Sequence, residues 1–167
     1  YPMFIAKSGS TVQPITAPPT LFTGPVVGGL ETFYITFGTG KYLESADNIS
    51  TLTNSFYALY DNGSSAGDES PVGEAAISGR GRLMAGTPNT STKVITVSSF
   101  NWGRPTAAQV SAGTSRAGWY FDMPVAGERL VSHIAKAGPR TGAFNTVIPG
   151  ASGAAAGSCS SAPGSGN

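Results

Sequence analysis

The stretch FGTGKYLESAD, residues 37–47, contains the glycines and the lysine that a phosphate-binding loop would use. Such a loop separates its two glycines by four residues and follows them with lysine and a serine or threonine that binds magnesium. Here only one residue separates Gly38 from Gly40, and Tyr42 follows Lys41 in place of the hydroxyl residue. No helical pattern follows that could aim its N-terminal amides at an anion. The stretch therefore does not predict nucleotide hydrolysis, and its glycines need a structural explanation.

Histidine and cysteine are too few for the usual hydrolytic and zinc sites. His133 is the single histidine and lies in a strand-like segment without a nucleophile motif nearby, so a hydrolase triad is not indicated. Cys159 is the single cysteine, so no disulfide can form within the chain, and one His with one Cys cannot fill a tetrahedral zinc site. We interpret His133 as a surface imidazole.

Carboxylates could perform acid–base chemistry on a sugar or bind calcium. Asp68 and Glu69 are adjacent, so on an extended segment they would point to opposite faces. Asp122 and Glu128 flank a turn, but Glu128 followed by Arg129 is more typical of a polar cluster that stabilises the turn. The D-x-[DN]-x-[DN]-G calcium loop does not occur, although residues 61–69 offer oxygens at other spacings. We therefore predict no catalytic residue, no metal site and no cofactor in this chain.

The charge of the chain argues against nucleic-acid or lipid partners. The formal net charge is +1 at pH 7, and only 11% of the residues are charged. Arg80 and Arg82, two residues apart, would share one face of a strand, and we interpret them as a solvated face. No apolar run is long enough for a membrane-spanning helix, and the first residues, YPMFIAKSGS, lack the pattern of a signal peptide. Because the chain begins without methionine, we expect it to be a piece of something larger.

Strand patterns dominate the chain, which has 23 glycines and 12 prolines. Residues 31–37 alternate, with Phe33, Ile35 and Phe37 on one face and Thr32, Tyr34 and Thr36 on the other. Residues 55–60 predict a second strand that ends at the turn Asp61-Asn62-Gly63, and we expect the two strands to be neighbours in one sheet. We predict further strands at 76–84, 93–97, 118–123, 128–134 and 143–148, with turns at 85–92, 124–127 and 138–141, and no amphipathic helix.

Short strands at close intervals are typical of a sandwich, barrel or propeller. A propeller blade uses about 40–45 residues, so the chain would supply roughly three to four of the about 4–8 blades of a closed ring. An incomplete ring leaves edge strands unpaired, so we expect the missing blades in a longer chain. We predict an all-β fold in which residues 1–149 form a partial β-propeller, a fragment of a larger one. Residues 150–167, rich in Gly, Ala and Ser, are expected to be a loop or a disordered tail.

Four ordered blocks resemble the C-terminal propeller region of the PilY/PilC family of type IV pilus tip-associated adhesins and biogenesis factors. They are PMFIAKSGSTVQPITAPP from residue 2, YITFGTGKYLESADNISTLTNSFYALYDNG over 34–63, GWYFDMPVAGERLVS over 118–132, and FNTVIPGAS with GSCSSAPGSG from residue 144 to 166. The segment HIAKAGPRT, 133–141, departs from the more apolar strand and turn of the family.

The resemblance implies a non-catalytic surface protein that supports pilus assembly and retraction control, adhesion and twitching motility. It implies an extracellular location at the pilus tip or outer membrane after export through the periplasm, with pilus-tip minor pilins and host-surface receptors as partners. Calcium is implied for the family, in a loop not present here. The polar loops 43–54 and 61–73 are the expected contact surfaces.

The same resemblance assigns structural roles to two groups of residues. The turn and strand-end residues are Gly38, Gly40, Gly118, Gly127 and Pro149. The residues that pack the blades are Phe33, Ile35, Phe37, Phe56, Tyr57, Trp119, Phe121 and Ile148.

Two other functions stay open. A quinoprotein-like propeller enzyme would need a calcium-linked acidic site and aromatic residues that stack on the cofactor, and no convincing set is present. A secreted carbohydrate-binding β domain would stack sugars on an exposed Trp102 or Trp119. Trp119 shares a strand face with Phe121 and is expected to be buried, whereas Trp102, in FNWGRP, could be exposed.

Overall fold

A computed structural model describes residues 2–63, 76–92, 94–105 and 107–149. This part of the chain consists mainly of strands, which agrees with the expected all-β class. The strands are β1 (Lys7–Ser8), β2 (Thr11–Val12), β3 (Thr20–Thr23), β4 (Phe33–Gly38), β5 (Ser55–Asp61), β6 (Met84–Asn89), β7 (Val94–Val97), β8 (Asn101–Trp102), β9 (Ser115–Arg116), β10 (Gly118–Asp122), β11 (Ala135–Gly138) and β12 (Thr141–Ala143). Two 3-10 turns, Ser45–Ile49 and Arg80–Arg82, and one short helix, α1 (Ala107–Ala112), complete it.

Six of the strands form one sheet, in the order β3-β4-β5-β10-β6-β7. Neighbours are antiparallel except β10 and β6, which run parallel. The pairs β1–β2, β8–β9 and β11–β12 form separate two-stranded sheets. Among the described residues no sheet closes on itself and no propeller is visible, so the number of blades stays a prediction.

Strands β4 and β5 confirm the clearest sequence pattern. They are antiparallel neighbours, with Phe37 opposite Tyr57. The expected turn follows β5, where the Gly63 amide donates a hydrogen bond of 3.0 Å to the Asp61 side chain. An aspartate that binds an amide two residues ahead is a common turn-forming arrangement.

The core lies on both faces of the six-stranded sheet. Because side chains alternate along a strand, β5 sends Tyr57 and Leu59 to one face and Phe56 and Ala58 to the other. One buried cluster contains Ala6, Phe37, Tyr57, Leu59, Ile77, Leu83 and Ala117. The other contains Phe56, Ala58, Phe121, Met123, Leu130 and Ile134. The centre of the sheet is therefore covered on both sides.

The predictions for residues 76–92 were mostly wrong, and only the end of the expected turn, residues 90–92, is a turn. Residues 76–84 contain the 3-10 turn Arg80–Arg82 rather than a strand, and most of the expected turn at 85–92 belongs to β6. Gly86, Pro88 and Asn89 made this segment look like a turn, but each is paired in register with a residue of β7. The pairing partner therefore overrides the local turn preference.

The predictions near the C-terminal end were partly wrong. Residues 128–134 contain no regular strand, and their ladder contact is the single bridge between Arg129 and Val147. Strand β12 ends at Ala143, so only the first residue of the expected strand 143–148 belongs to it. The turn expected at 138–141 is confirmed between β11 and β12. The helix α1 was not predicted.

In the described ranges no helix is long and apolar enough to cross a membrane.

Candidate functional site

The two glycines of FGTGK allow a second sequence block to pack directly against their backbone. A Cβ atom on Gly38 would clash with the Leu130 side chain, and one on Gly40 would clash with Arg129. Gly40 also has φ = 133°, a conformation that L-residues rarely adopt. Between the glycines, the carbonyl of Thr39 accepts a hydrogen bond of 3.1 Å from the Leu130 amide. The two glycines therefore leave room for GERL to pack against the end of β4, and they are not part of a phosphate-binding loop.

Arg129 forms hydrogen bonds with the backbone at and next to loop 43–54. Only 2% of this residue is exposed, and burial lowers the pKa of its guanidinium. Its Nη1 donates to the Lys41 carbonyl at 2.6 Å, Nη2 to the Ser50 carbonyl at 3.0 Å and Nε to the Gly127 carbonyl at 2.8 Å. One side chain thus connects Lys41, just before the loop, and Ser50, within it, to Gly127 in the turn.

Asp47 fixes the interior of the same loop. Its Oδ2 accepts hydrogen bonds from the amides of Leu43 at 2.9 Å and Glu44 at 3.0 Å, and its Oδ1 lies 3.6 Å from Lys41 Nζ. The hydrogen bonds from these two backbone amides, together with the charge of Lys41, lower the pKa of Asp47. The loop is therefore an ordered platform with internal hydrogen bonds.

The pKa of Asp47 predicts how the stability of the protein responds to acid. Since its folded pKa lies below the unfolded value of 3.8, the ionised carboxylate stabilises the fold above that pH, and this contribution is lost as pH falls through the folded pKa. We expect Asp47→Asn to lower stability at neutral pH and to flatten the loss of stability below about pH 4. Urea unfolding midpoints measured from neutral to strongly acidic pH check this. Parallel profiles for the two proteins would contradict it.

The outer surface of loop 43–54 is more apolar than expected. Leu43, Ile49 and Leu52 are 77%, 69% and 56% exposed, although the sequence suggested a polar loop. Single exposed aliphatic side chains are common on protein surfaces, but a group of them on one loop offers apolar area whose desolvation favours binding. The other expected loop, 61–73, lies outside the described residues beyond Gly63.

Arg80 and Arg82 do not form the solvated face that we expected, because this segment is a 3-10 turn and not a strand. Arg82 is 6% exposed. Arg80 Nη1 lies 2.9 Å from Asp122 Oδ1, Nη2 donates to Ser55 Oγ at 2.6 Å, and Nε donates to the Tyr57 hydroxyl at 2.9 Å. Arg80 therefore connects the turn to β5 and β10.

The carboxylates considered for catalysis have separate structural partners. Asp122 binds Arg80, whereas Glu128, 3% exposed, accepts hydrogen bonds from Thr146 Oγ1 at 2.6 Å and from the Val125 amide at 3.2 Å. Glu128 thus stabilises the turn before it. Asp68, Glu69 and Cys159 lie outside the described residues. Within the described ranges no three His, Cys, Asp or Glu residues form a group that could hold a metal ion, and His133 is exposed.

An aromatic pocket of about 290 Å³ lies on the opposite side of the sheet from Tyr57, beside the β11–β12 hairpin. Trp102 is 37% exposed, and its ring centre lies 4.7 Å from that of Tyr34. Trp119 is partly buried against Phe56, at 5.0 Å, and shares its strand face with Phe121, as the alternation predicted. The two tryptophans that the sequence singled out thus line one pocket.

One comparison with curated proteins supports a relationship to a pilus protein. The chain is 29% identical over 160 residues, 90% of its length, to a "Type IV pilus biogenesis factor PilY1 homolog" of Xylella fastidiosa. The chain spans 9% of the length of that relative. No protein-family model and no solved structure matches the chain.

Proposed function

We propose that this chain is part of a type IV pilus biogenesis factor and adhesin of the PilY/PilC kind, which acts by binding and not by catalysis. The similarity over 90% of the chain to a pilus biogenesis factor carries this proposal. Two blocks of the resemblance, FGTGK and GERL, contact each other through Gly38, Gly40, Arg129 and Leu130.

Loop 43–54 is the proposed contact surface. Arg129 and Asp47 hold its backbone, so Leu43, Ile49 and Leu52 are presented with little freedom left to lose on binding. Its partners are minor pilins of the pilus tip and host-surface receptors, at an extracellular location. Through them the protein supports pilus assembly, retraction control, adhesion and twitching motility.

The propeller assignment is part of this proposal. Strands β3 and β7 form the two edges of the six-stranded sheet in the described part of the chain. Unpaired edges can pair with further strands, and the remaining blades of a longer chain would supply them. Calcium, which the family resemblance implies, would bind in a loop that this sequence does not contain, and no step of the proposal depends on it.

Replacing Leu43, Ile49 and Leu52 together by serine tests the contact surface. We expect fewer surface pili and weaker adhesion and twitching, because the triple variant removes exposed apolar area without removing a bond that holds the loop. The measurement is pilus counting by electron microscopy, with adhesion and twitching assays, in bacteria that produce the full-length protein at wild-type levels.

A matched control comes from the hairpin tip between β3 and β4. Val26, Val27 and Leu30 are 68%, 53% and 44% exposed, and their replacement by serine removes a similar number of exposed aliphatic side chains. We expect this control to keep piliation and adhesion. Unchanged phenotypes in the loop variant, or equal defects in both, would refute the assignment of the surface.

A further inference from the structure

The pocket beside the β11–β12 hairpin has walls made of aromatic rings. Phe22, Tyr34, Phe56, Trp102, Trp119 and Phe144 line it. They come from β3, β4, β5, β8, β10 and the segment after β12, so the fold gathers rings that lie far apart in sequence. Its volume of about 290 Å³ is close to the lower end of the range of about 300–1,000 Å³ for small-molecule pockets, and suits a short ring-containing ligand better than a large one.

The polar side chains of the described lining are two hydroxyls, two indole N–H groups and one guanidinium. Arg140 lines the pocket and forms no ion pair within the described residues, and none of the described lining side chains is a carboxylate. In the same part of the chain, the Tyr34 hydroxyl and the indole N–H groups of Trp102 and Trp119 make no hydrogen bond to protein. Lys136 adds a second positive charge close by, 5.7 Å from the centre of the Phe22 ring.

These features select a ligand that is anionic, rich in oxygen acceptors and flat on at least one face. Aromatic faces carry partial negative charge and attract C–H groups of a ring stacked on them. Arginine forms paired, charge-assisted hydrogen bonds with carboxylates. A sugar ring that carries a carboxylate has all three properties.

We propose that this pocket binds a uronic acid residue of an acidic polysaccharide, with the sugar ring stacked against Trp102 and the carboxylate bound by Arg140. An aromatic side chain of a peptide would also fit the rings, but it would leave Arg140 and the three donors without partners. The sugar is therefore favoured over the peptide. The site is separate from loop 43–54, and it does not depend on the pilus assignment.

Calorimetric titration of the full chain with matched oligosaccharides tests the site. The probes are tetrasaccharides of glucuronate, galacturonate and mannuronate, each beside the neutral tetrasaccharide with the same linkage and ring stereochemistry. We expect at least one acidic probe to bind about ten-fold or more tightly than its neutral partner, the amount that one charge-assisted hydrogen bond supplies.

Two variants with matched controls separate the roles of ring and charge. Arg140→Gln is expected to reduce the preference for the acidic probe to about two-fold or less, whereas Lys41→Gln, which changes the net charge equally outside the pocket, keeps it. Trp102→Ala is expected to weaken binding of acidic and neutral probes alike by about ten-fold, because the stacking surface is lost. Tyr42→Ala removes a 46% exposed ring outside the pocket and leaves binding unchanged.

The outcomes decide the proposal. Acid preference that Arg140→Gln removes and Lys41→Gln keeps supports it, provided that circular dichroism shows both variants folded. Equal affinity for acidic and neutral probes overturns it, and so does the absence of binding at millimolar concentration of every probe. Binding of an aromatic peptide in place of sugars, lost in Trp102→Phe as well as Trp102→Ala, also overturns it.

Discussion

Replacing Arg129 by methionine is expected to lower the free energy of unfolding by about 3–5 kcal/mol. The substitution leaves the carbonyls of Lys41, Ser50 and Gly127 without the donors that they have in the wild type, 2.6–3.0 Å away. An unsatisfied buried acceptor costs about 1–3 kcal/mol, and partial access of water reduces the sum of the three. Guanidinium unfolding followed by tryptophan fluorescence measures the change.

Two further variants show whether geometry or charge is responsible. Arg129→Lys keeps the charge, but an ammonium group has no planar fork with which to reach three carbonyls, so we expect a loss of about 2 kcal/mol or more. Arg140→Met removes an exposed guanidinium and is expected to change stability by less than about 0.5 kcal/mol. An Arg129→Met protein within about 1 kcal/mol of the wild type, the typical effect of any single substitution, would contradict the assigned role.

Gly40→Ala is expected to cost about 2–5 kcal/mol, combining about 1–3 kcal/mol for overpacking with about 1–2 kcal/mol for a side chain at positive φ. The added methyl would meet the Arg129 side chain, and φ is 133° at this position. Gly38→Ala, which would clash with Leu130, is expected to cost about 1–3 kcal/mol from overpacking alone. Equilibrium unfolding of both variants measures these values and their order.

Gly81→Ala is the matched control for the glycine variants. A Cβ at Gly81 would meet nothing within 4 Å, and this glycine is not among those with positive φ. We therefore expect the substitution to be neutral or to stabilise by up to about 1 kcal/mol, because alanine reduces the freedom of the unfolded chain. If Gly40→Ala and Gly81→Ala behave alike, the close packing of FGTGK against GERL does not determine stability.

Local pattern was sufficient for the strands at the centre of the sheet. Strand β4 alternates, β5 ends at the Asp61-Asn62-Gly63 turn, and GWYFD at 118–122 is rich in aromatic residues, so each signal lies within the strand itself. The neighbours β4 and β5 are also adjacent in sequence, which made their pairing predictable. These signals were strong because whether a strand residue is buried depends on which face of the sheet it occupies, and this leaves a pattern in the strand's own sequence.

The failures occurred where distant partners decide the conformation. Strand β6 contains Gly86 and Pro88, which favour turns, but β7 on one side and β10 on the other hold it extended. Arg129 was interpreted as part of a polar cluster that stabilises the turn, and its Nε does bind Gly127 there, yet its other two acceptors lie 79 and 88 positions away in sequence. No local pattern encodes such contacts, so the irregular path of 128–134 could not be predicted.

The candidate sites show the same division. Loop 43–54 was identified from its position between two strands, but its exposed aliphatic surface depends on how Asp47 and Arg129 fold it back. Trp102 was singled out as a possible sugar-stacking residue from its flanking Gly-Arg-Pro sequence. Arg140 was not, because only the β11–β12 hairpin places it beside rings from other strands.

The long reach of the contacts in this fold has a consequence for how the chain matures. Hydrogen bonds join Asn54 to Glu128, Lys41 to Arg129 and Thr20 to Ile134, across 74, 88 and 114 residues. Closing such long loops slows folding, and β5 cannot gain β10 as a partner until Gly118–Asp122 has been synthesised. A chain emerging from the ribosome would therefore hold the apolar strands β4 and β5 without β10 as a partner until Gly118–Asp122 appears. During that interval the exposed apolar strands are prone to aggregate.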